Sequence, residues 1–86
     1  MGRNRRSFLS MKAIKNKISL RERLAQNLQE LRTSRQVSQE ELARLAGFHR
    51  TYVSQLERGV TNISLDNLEK IAGALEVDAV ELLQAR

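Results

Sequence analysis

The segment from Gln39 to Arg58, QEELARLAGFHRTYVSQLER, constrains the fold more than any other part of the chain. Apolar residues recur in it at the spacing of one helix face, both before and after a glycine: Leu42, Ala43 and Ala46, then Val53 and Leu56. That glycine, Gly47, is the residue type that most readily adopts the left-handed conformation in which helices end. The segment therefore predicts two short helices, at about residues 38–46 and 50–58, joined by a tight turn.

The second of these helices carries an outer face of uncommon composition. On a helical wheel of 100° per residue, one arc contains two guanidinium groups, one carboxamide and two hydroxyl groups: Arg50, Thr51, Ser54, Gln55 and Arg58. It contains no carboxylate, although the chain has ten acidic residues. Such a face indicates a contact surface for an anionic ligand that also offers hydrogen-bonding groups. The major groove of double-stranded DNA fits this description and is wide enough for one helix.

The rest of the chain is also predicted to be helical, because it lacks proline and is dominated by helix-forming residues. Leucines form one apolar stripe on a first helix that runs to about residue 35: Leu20, Leu24, Leu28 and Leu31. Residues able to cap a helix precede four of the predicted helices: Ser19, Ser38, Ser64 and Asp78. Three of them are followed three residues later by a glutamate (Glu22, Glu41 and Glu81), which predicts capping boxes at Ser19, Ser38 and Asp78. We therefore expect an all-α domain of five helices over residues 19–86.

The net charge of +5 is distributed unevenly. Residues 1–21 contain seven basic side chains and no acid, whereas residues 22–86 contain eight basic and ten acidic side chains. The excess positive charge thus belongs to a basic N-terminal extension, residues 1–18, and to the adjoining Arg21. Four interpretations of this extension remain open: a solvated arm, a segment that contacts DNA phosphates or the minor groove, a segment that packs across a dimer, and, less favoured, a segment that binds a membrane surface.

The last predicted helix has more apolar residues than one small core requires. Val80, Leu82 and Leu83 lie close together in it. Excess apolar surface on a small domain is usually covered by a partner, most simply by a two-fold copy of the same chain. We therefore expect a homodimer with these three residues at its interface.

Several classes of function lack the residues they require. The chain has no cysteine and a single histidine, His49, so neither a disulfide nor a thiolate metal site can form. No catalytic constellation or phosphate-binding glycine loop is recognisable. We therefore expect no enzymatic activity, no cofactor and no metal. No segment approaches the roughly 20 apolar residues of a membrane span, so we expect a cytoplasmic protein, held at the nucleoid by DNA, with no membrane partner.

Four segments, SQEELARLAG, TYVSQLERG, SLDNLEKIAGALEV and ELL, together resemble the Cro/repressor-type (XRE-like) helix-turn-helix regulators of bacteria and phages. The run RTYVSQLERG is also similar to the controller proteins of restriction–modification systems. The resemblance covers about residues 20–86 and implies a five-helix domain that binds DNA as a dimer and regulates transcription. Residues 1–18 lie outside the family pattern.

The resemblance also implies roles for individual residues. In the recognition helix, Arg50, Thr51 and Gln55 would read bases, and their neighbour Ser54 is assigned to the same group. Phosphates would be bound by Gln39 at the start of the second helix and by Thr61, Asn62 and Ser64 in the loop after the recognition helix. Tyr52 and Arg58 are assigned to the same group from their positions on the recognition helix. Arg32 and Glu57 would form a structural pair between the first helix and the recognition helix.

A function of a different class also remains open. The alternative is a protein-interaction module, such as the antitoxin half of a toxin–antitoxin pair, in which DNA binding would be secondary. The terminal helix or the basic extension would then bind a protein, either a toxin or RNA polymerase.

Overall fold

The computed structural model describes residues 18–85. These residues form four α-helices, which are α1 (Leu20–Ser34), α2 (Gln39–Ala46), α3 (Arg50–Arg58) and α4 (Leu65–Leu75), followed by a 3₁₀ turn at Ala79–Leu82. None of the helices within residues 18–85 is long and apolar enough to cross a membrane. The interpretations of the basic extension concern residues that, apart from Ile18, lie outside the described part of the chain.

Helix starts and ends follow local sequence signals. The Ser19 hydroxyl accepts from the Glu22 amide at 3.1 Å, and the Glu22 carboxylate accepts from the Ser19 amide at 3.0 Å, which completes the expected capping box. Ser38 caps α2 through its hydroxyl alone, which accepts from the Glu41 amide at 3.0 Å. The Glu41 carboxylate does not return to Ser38, because it pairs with Arg44 instead.

The prediction of five α-helices is wrong at the last element. Asp78 and Glu81 form the expected capping box, but the helix lasts for only one 3₁₀ turn. The carbonyls of Leu82 and Gln84 accept from the Asn27 side chain on α1, at 3.0 and 2.8 Å. The amides of Glu81 and Leu83 donate to the carbonyls three residues earlier, those of Asp78 and Val80, which is the 3₁₀ pattern. The bonds from Asn27 hold the residues at the end of this turn against α1.

The core lies between the helices: α3 packs against α1 and α2, α4 packs against α2, and the terminal turn packs against α1 and α4. It consists of leucines, valine, isoleucine and alanines from every element: Leu24, Leu28, Leu31, Leu42, Ala43, Val53, Leu56, Leu68, Ile71, Ala72, Leu75 and Leu82. Burying one such leucine fully contributes roughly 1.5–3 kcal/mol to stability. Leu20 was expected in the same stripe but is 57% exposed, because it is the first residue of α1 and lies at the edge of an open groove.

Candidate nucleic-acid interface

Helices α2 and α3 form a compact pair across the glycine turn. Gly47 has a φ of 80°, and the Phe48 amide donates back to the Ala43 carbonyl at 2.7 Å. Ala43 is 2% exposed in this pair, so a larger side chain would not fit between the packed elements. The inner side of α3, with Val53 and Leu56, is buried against the core. The turn thus fixes which side of α3 faces outward.

The outer face of α3 contains all five polar side chains that were expected there. Arg50, Thr51 and Arg58 are exposed, whereas Ser54 and Gln55 are half-buried. Within residues 18–85, none of these five side chains makes a hydrogen bond or an ion pair. Their donors and acceptors are therefore available to a ligand, and no internal bond has to break before they bind one.

The only carboxylate of α3, that of Glu57, is turned inward and held by two other helices. Arg32 on α1 donates to it through Nε at 2.5 Å and through Nη2 at 3.1 Å. Gln39, the first residue of α2, donates to its Oε1 at 3.0 Å. The Arg32 and Glu57 side chains are 12% and 4% exposed. The structure thus contains the Arg32–Glu57 pair, and Gln39 lies beside it with one amide hydrogen still free.

The loop from Gly59 to Ser64 continues directly from the end of α3. Gly59 has a φ of 70°, and the Val60 amide donates to the Gln55 carbonyl at 3.1 Å. Beyond it, Thr61 is half-buried, and Asn62 and Ser64 are exposed. The Ser64 hydroxyl accepts from the Asn67 amide at 3.1 Å and so caps α4.

Tyr52 joins α3 to α4. Its hydroxyl accepts from the Asn67 side chain at 3.2 Å. Its ring meets that of Phe48 edge to face, with the ring centroids 4.9 Å apart. Both rings pack against the core while remaining partly exposed. The hydroxyl group of Tyr52 thus lies at a surface between α3 and the start of α4.

Two side chains at this surface were missed in the sequence. Asn67 on α4 fixes the Tyr52 hydroxyl. Arg21, in the first turn of α1, donates to the Oδ1 of Asn62 in the loop after α3. Local sequence signals could not identify the second contact, because its partners are 41 positions apart.

The residues expected at a dimer interface separate into different environments. Val80 is 60% exposed and Leu83 is half-buried. Leu82 is fully buried within the protomer, so it belongs to the core and cannot contribute to an exposed surface. Apolar surface is found instead in an open groove that Leu83 lines together with Leu20 and Leu65, the last of which is 78% exposed.

Within residues 18–85, no group of three or more histidine or acidic side chains is arranged to hold a metal ion.

Comparison with known proteins gives several matches. A helix-turn-helix family model matches residues 28–82. A hypothetical transcription factor of Neisseria meningitidis serogroup B is 53% identical over 64 residues, which are 74% of this chain and 60% of that protein. This chain therefore spans less than two-thirds of that relative. Control protein C.BamHI of Bacillus amyloliquefaciens is 49% identical over 59 residues, which are 67% of this chain and 73% of that protein.

A solved structure shows the same fold. The restriction–modification controller protein C.AhdI of Aeromonas hydrophila superposes with a TM-score of 0.71 at 47% identity. The superposition covers 72% of this chain and 94% of that chain.

Proposed function

This chain belongs to the helix-turn-helix family, and we propose that it is a transcriptional regulator that binds a roughly palindromic DNA operator as a homodimer. Its membership confirms the expected resemblance to XRE-like regulators and controller proteins. Members of this family are DNA-binding regulators and not enzymes. The observation that supports the proposal most strongly is the outer face of α3. Its five polar side chains lack both an acidic neighbour on that face and any internal partner.

Base reading is assigned to the first two turns of α3. Arg50 can donate two hydrogen bonds to guanine O6 and N7, and Gln55 can pair with the N6 and N7 of adenine. Thr51 can place its methyl group against that of thymine, and Ser54 can bond to a nearby base edge. The absence of internal bonds at these side chains supports this assignment, because they lose no intramolecular contact on binding.

Phosphate binding is assigned to residues around this face: Gln39, Tyr52, Arg58, Thr61, Asn62 and Ser64. The hydroxyls of Tyr52 and Ser64 both act as acceptors within the protein. Each hydroxyl has one hydrogen, which therefore remains available to donate to a phosphate oxygen. The free amide hydrogen of Gln39 can act in the same way. These contacts would fix the register of the protein on DNA without reading sequence.

Dimerisation would place two copies of α3 in successive major grooves, about 34 Å apart. With Leu82 in the core, the surface proposed for the dimer consists of Val80, Leu83 and the groove lined by Leu20 and Leu65. Three of these side chains are more than half exposed in the protomer. A two-fold copy would remove them from water, which favours association.

The proposed domain division places the extension, residues 1–18, before the DNA-binding domain, residues 19–86. The Ser19 capping box, at which α1 begins, supports this boundary. Because residues 22–86 contain ten acidic and eight basic side chains, bulk electrostatic attraction to DNA would come mainly from residues 1–21.

The similarity to control proteins supports a narrower proposal, that the chain regulates restriction–modification genes. The proposal requires an endonuclease gene and a methyltransferase gene next to the gene for this chain. It also requires that the operator lie upstream of these genes. If sequencing of the locus shows neither gene, the narrower proposal fails, but the proposed DNA binding does not depend on it.

Selection from random DNA duplexes tests the proposed function directly. The expected result is enrichment of one roughly palindromic motif whose half-sites are centred about one helical turn apart. Light scattering of the purified protein should give the mass of a dimer, alone and on the selected duplex. Failure to enrich any motif would refute sequence-specific binding. Isolation only in an obligate complex with another protein would favour the antitoxin-type function instead.

A further inference from the structure

Arg21, in the first turn of α1, reaches the loop that follows α3. Its Nη2 donates to the Oδ1 of Asn62, and both side chains are exposed. Together with Thr61 and Ser64 they form the polar rim of the groove between the start of α1 and this loop. Helix α1 therefore contributes a cation to a surface at which the other side chains are neutral.

The guanidinium of Arg21 is not neutralised by an acid. Within residues 18–85, ion pairs join Arg32 to Glu57 and Arg44 to Glu41, and Arg21 takes part in neither. Its bond to Asn62 uses a neutral amide oxygen and one of its five N–H donors. The positive charge and the remaining donors are therefore available to an external anion.

The loop itself has hydrogen-bond donors but no positive charge. Residues 59–64 contain neither lysine nor arginine. The backbone amides of Thr61, Asn62 and Ile63 donate to no acceptor within residues 18–85. Because the Oδ1 of Asn62 accepts from Arg21, the two hydrogens of its Nδ2 group stay free for a ligand. Neutral donors can position a phosphate, whereas release of counterions from DNA requires a cation.

We propose that Arg21, Thr61 and Asn62 form one composite phosphate-binding site on the DNA backbone, in which Arg21 supplies the charge. This inference rests on the proposed DNA-binding function and extends it to a helix outside the helix-turn-helix pair. Asn62 and the loop amides supply the hydrogen-bond geometry. The contact is independent of sequence, because every base pair presents the same phosphate chemistry.

The test is the salt dependence of DNA binding by Arg21→Gln in the full chain. The dissociation constant is measured for the selected operator and for a scrambled duplex, between 50 and 200 mM salt. Loss of one phosphate contact should reduce the slope of log K against log salt by about 0.9 for each protomer. Raising the salt from 50 to 200 mM should therefore narrow the gap in affinity between Arg21→Gln and the unsubstituted protein by about 3.5-fold per protomer. The reduction should be equal on both duplexes.

Two variants serve as controls. Lys70→Gln removes one positive charge from α4, where the ammonium lies over the Phe48 ring, and should leave the slope unchanged. Arg21→Lys keeps the charge and should keep the slope. The inference is overturned if Arg21→Gln retains the full slope, or if Lys70→Gln lowers it equally. If the unsubstituted protein does not prefer the operator to the scrambled duplex, the proposed function itself fails, which is a separate result.

Discussion

Replacing Glu57 by glutamine is expected to destabilise the domain by about 3–5 kcal/mol. The Glu57 carboxylate is 4% exposed and accepts three hydrogen bonds, two from Arg32 and one from Gln39. Glutamine has nearly the same shape but no charge, so the guanidinium of Arg32 would stay buried without a counter-ion. Removing one partner of a buried pair costs more than the pair contributes, because the remaining charge has lost its hydration.

This loss is large compared with the stability of a small domain, which is typically about 5–15 kcal/mol. For a domain of this size, 1 kcal/mol shifts Tm by roughly 4–8 °C. The variant should therefore melt at least about 12 °C below the unsubstituted protein. Urea denaturation followed by circular dichroism gives the free energy of unfolding directly. The protein concentration must be equal in all samples, because dimerisation makes apparent stability depend on it.

Glu41→Gln is the matched control, since the Arg44–Glu41 pair has the same 2.5 Å separation between nitrogen and oxygen. The Arg44 and Glu41 side chains are 68% and 44% exposed, so losing this pair should lower the free energy of unfolding by less than about 1 kcal/mol. The double variant Arg32→Met with Glu57→Gln should regain part of the stability, because it leaves no buried charge unpaired. Equal losses for Glu57→Gln and Glu41→Gln would refute the argument that burial decides the effect.

Three further substitutions test the binding face, α4 and the dimer. Arg50→Ala should lose roughly 1–3 kcal/mol of discrimination at particular base pairs, measured by competition with single-base operator variants, whereas uniform weakening would identify a phosphate contact. Gly73→Ala should raise the free energy of unfolding by up to about 1 kcal/mol, because Gly73 lies inside α4 and an added Cβ meets no atom within 4 Å; a lower midpoint in urea would contradict this. Leu65→Asp should give a folded monomer in light scattering, since Leu65 is 78% exposed, and an unchanged dimer mass would exclude it from the interface.

The features that local sequence signals predict correctly depend on residues that are close together in the chain, whereas the Arg32–Glu57 pair, 25 positions apart, was expected only from the family resemblance. Ser19 and Ser38 each accept from an amide three residues later. Gly47 and Gly59 take positive φ angles at the ends of α2 and α3. Each of these interactions closes within about one helical turn, so the local residues determine it. Even the incomplete capping box at Ser38 has a local cause, because Arg44 competes for the carboxylate of Glu41.

Contacts between distant residues could not be predicted in this way. The number of apolar residues near the end of the chain is compatible with Leu82 in a dimer interface or in the core. The packing of the terminal turn against α1 places it in the core. The end of this turn is held against α1 by Asn27, whose side chain donates to the carbonyl of Leu82, 55 positions later. Arg21 and Asn62 have no sequence relation that would indicate their contact.

The position of Glu57 explains how α3 can contain an acid and still present only positive charge. Arg50 and Arg58 lie exposed on the outer face, whereas the Glu57 carboxylate is paired inside with Arg32. An exposed carboxylate on that face would repel phosphates, and an unpaired one inside would destabilise the fold. The pair with Arg32 avoids both effects, so it connects the stability of the domain to the charge of its binding face. A loss of DNA affinity in Glu57→Gln can therefore be assigned to the binding face only at temperatures at which circular dichroism shows the variant to be fully folded.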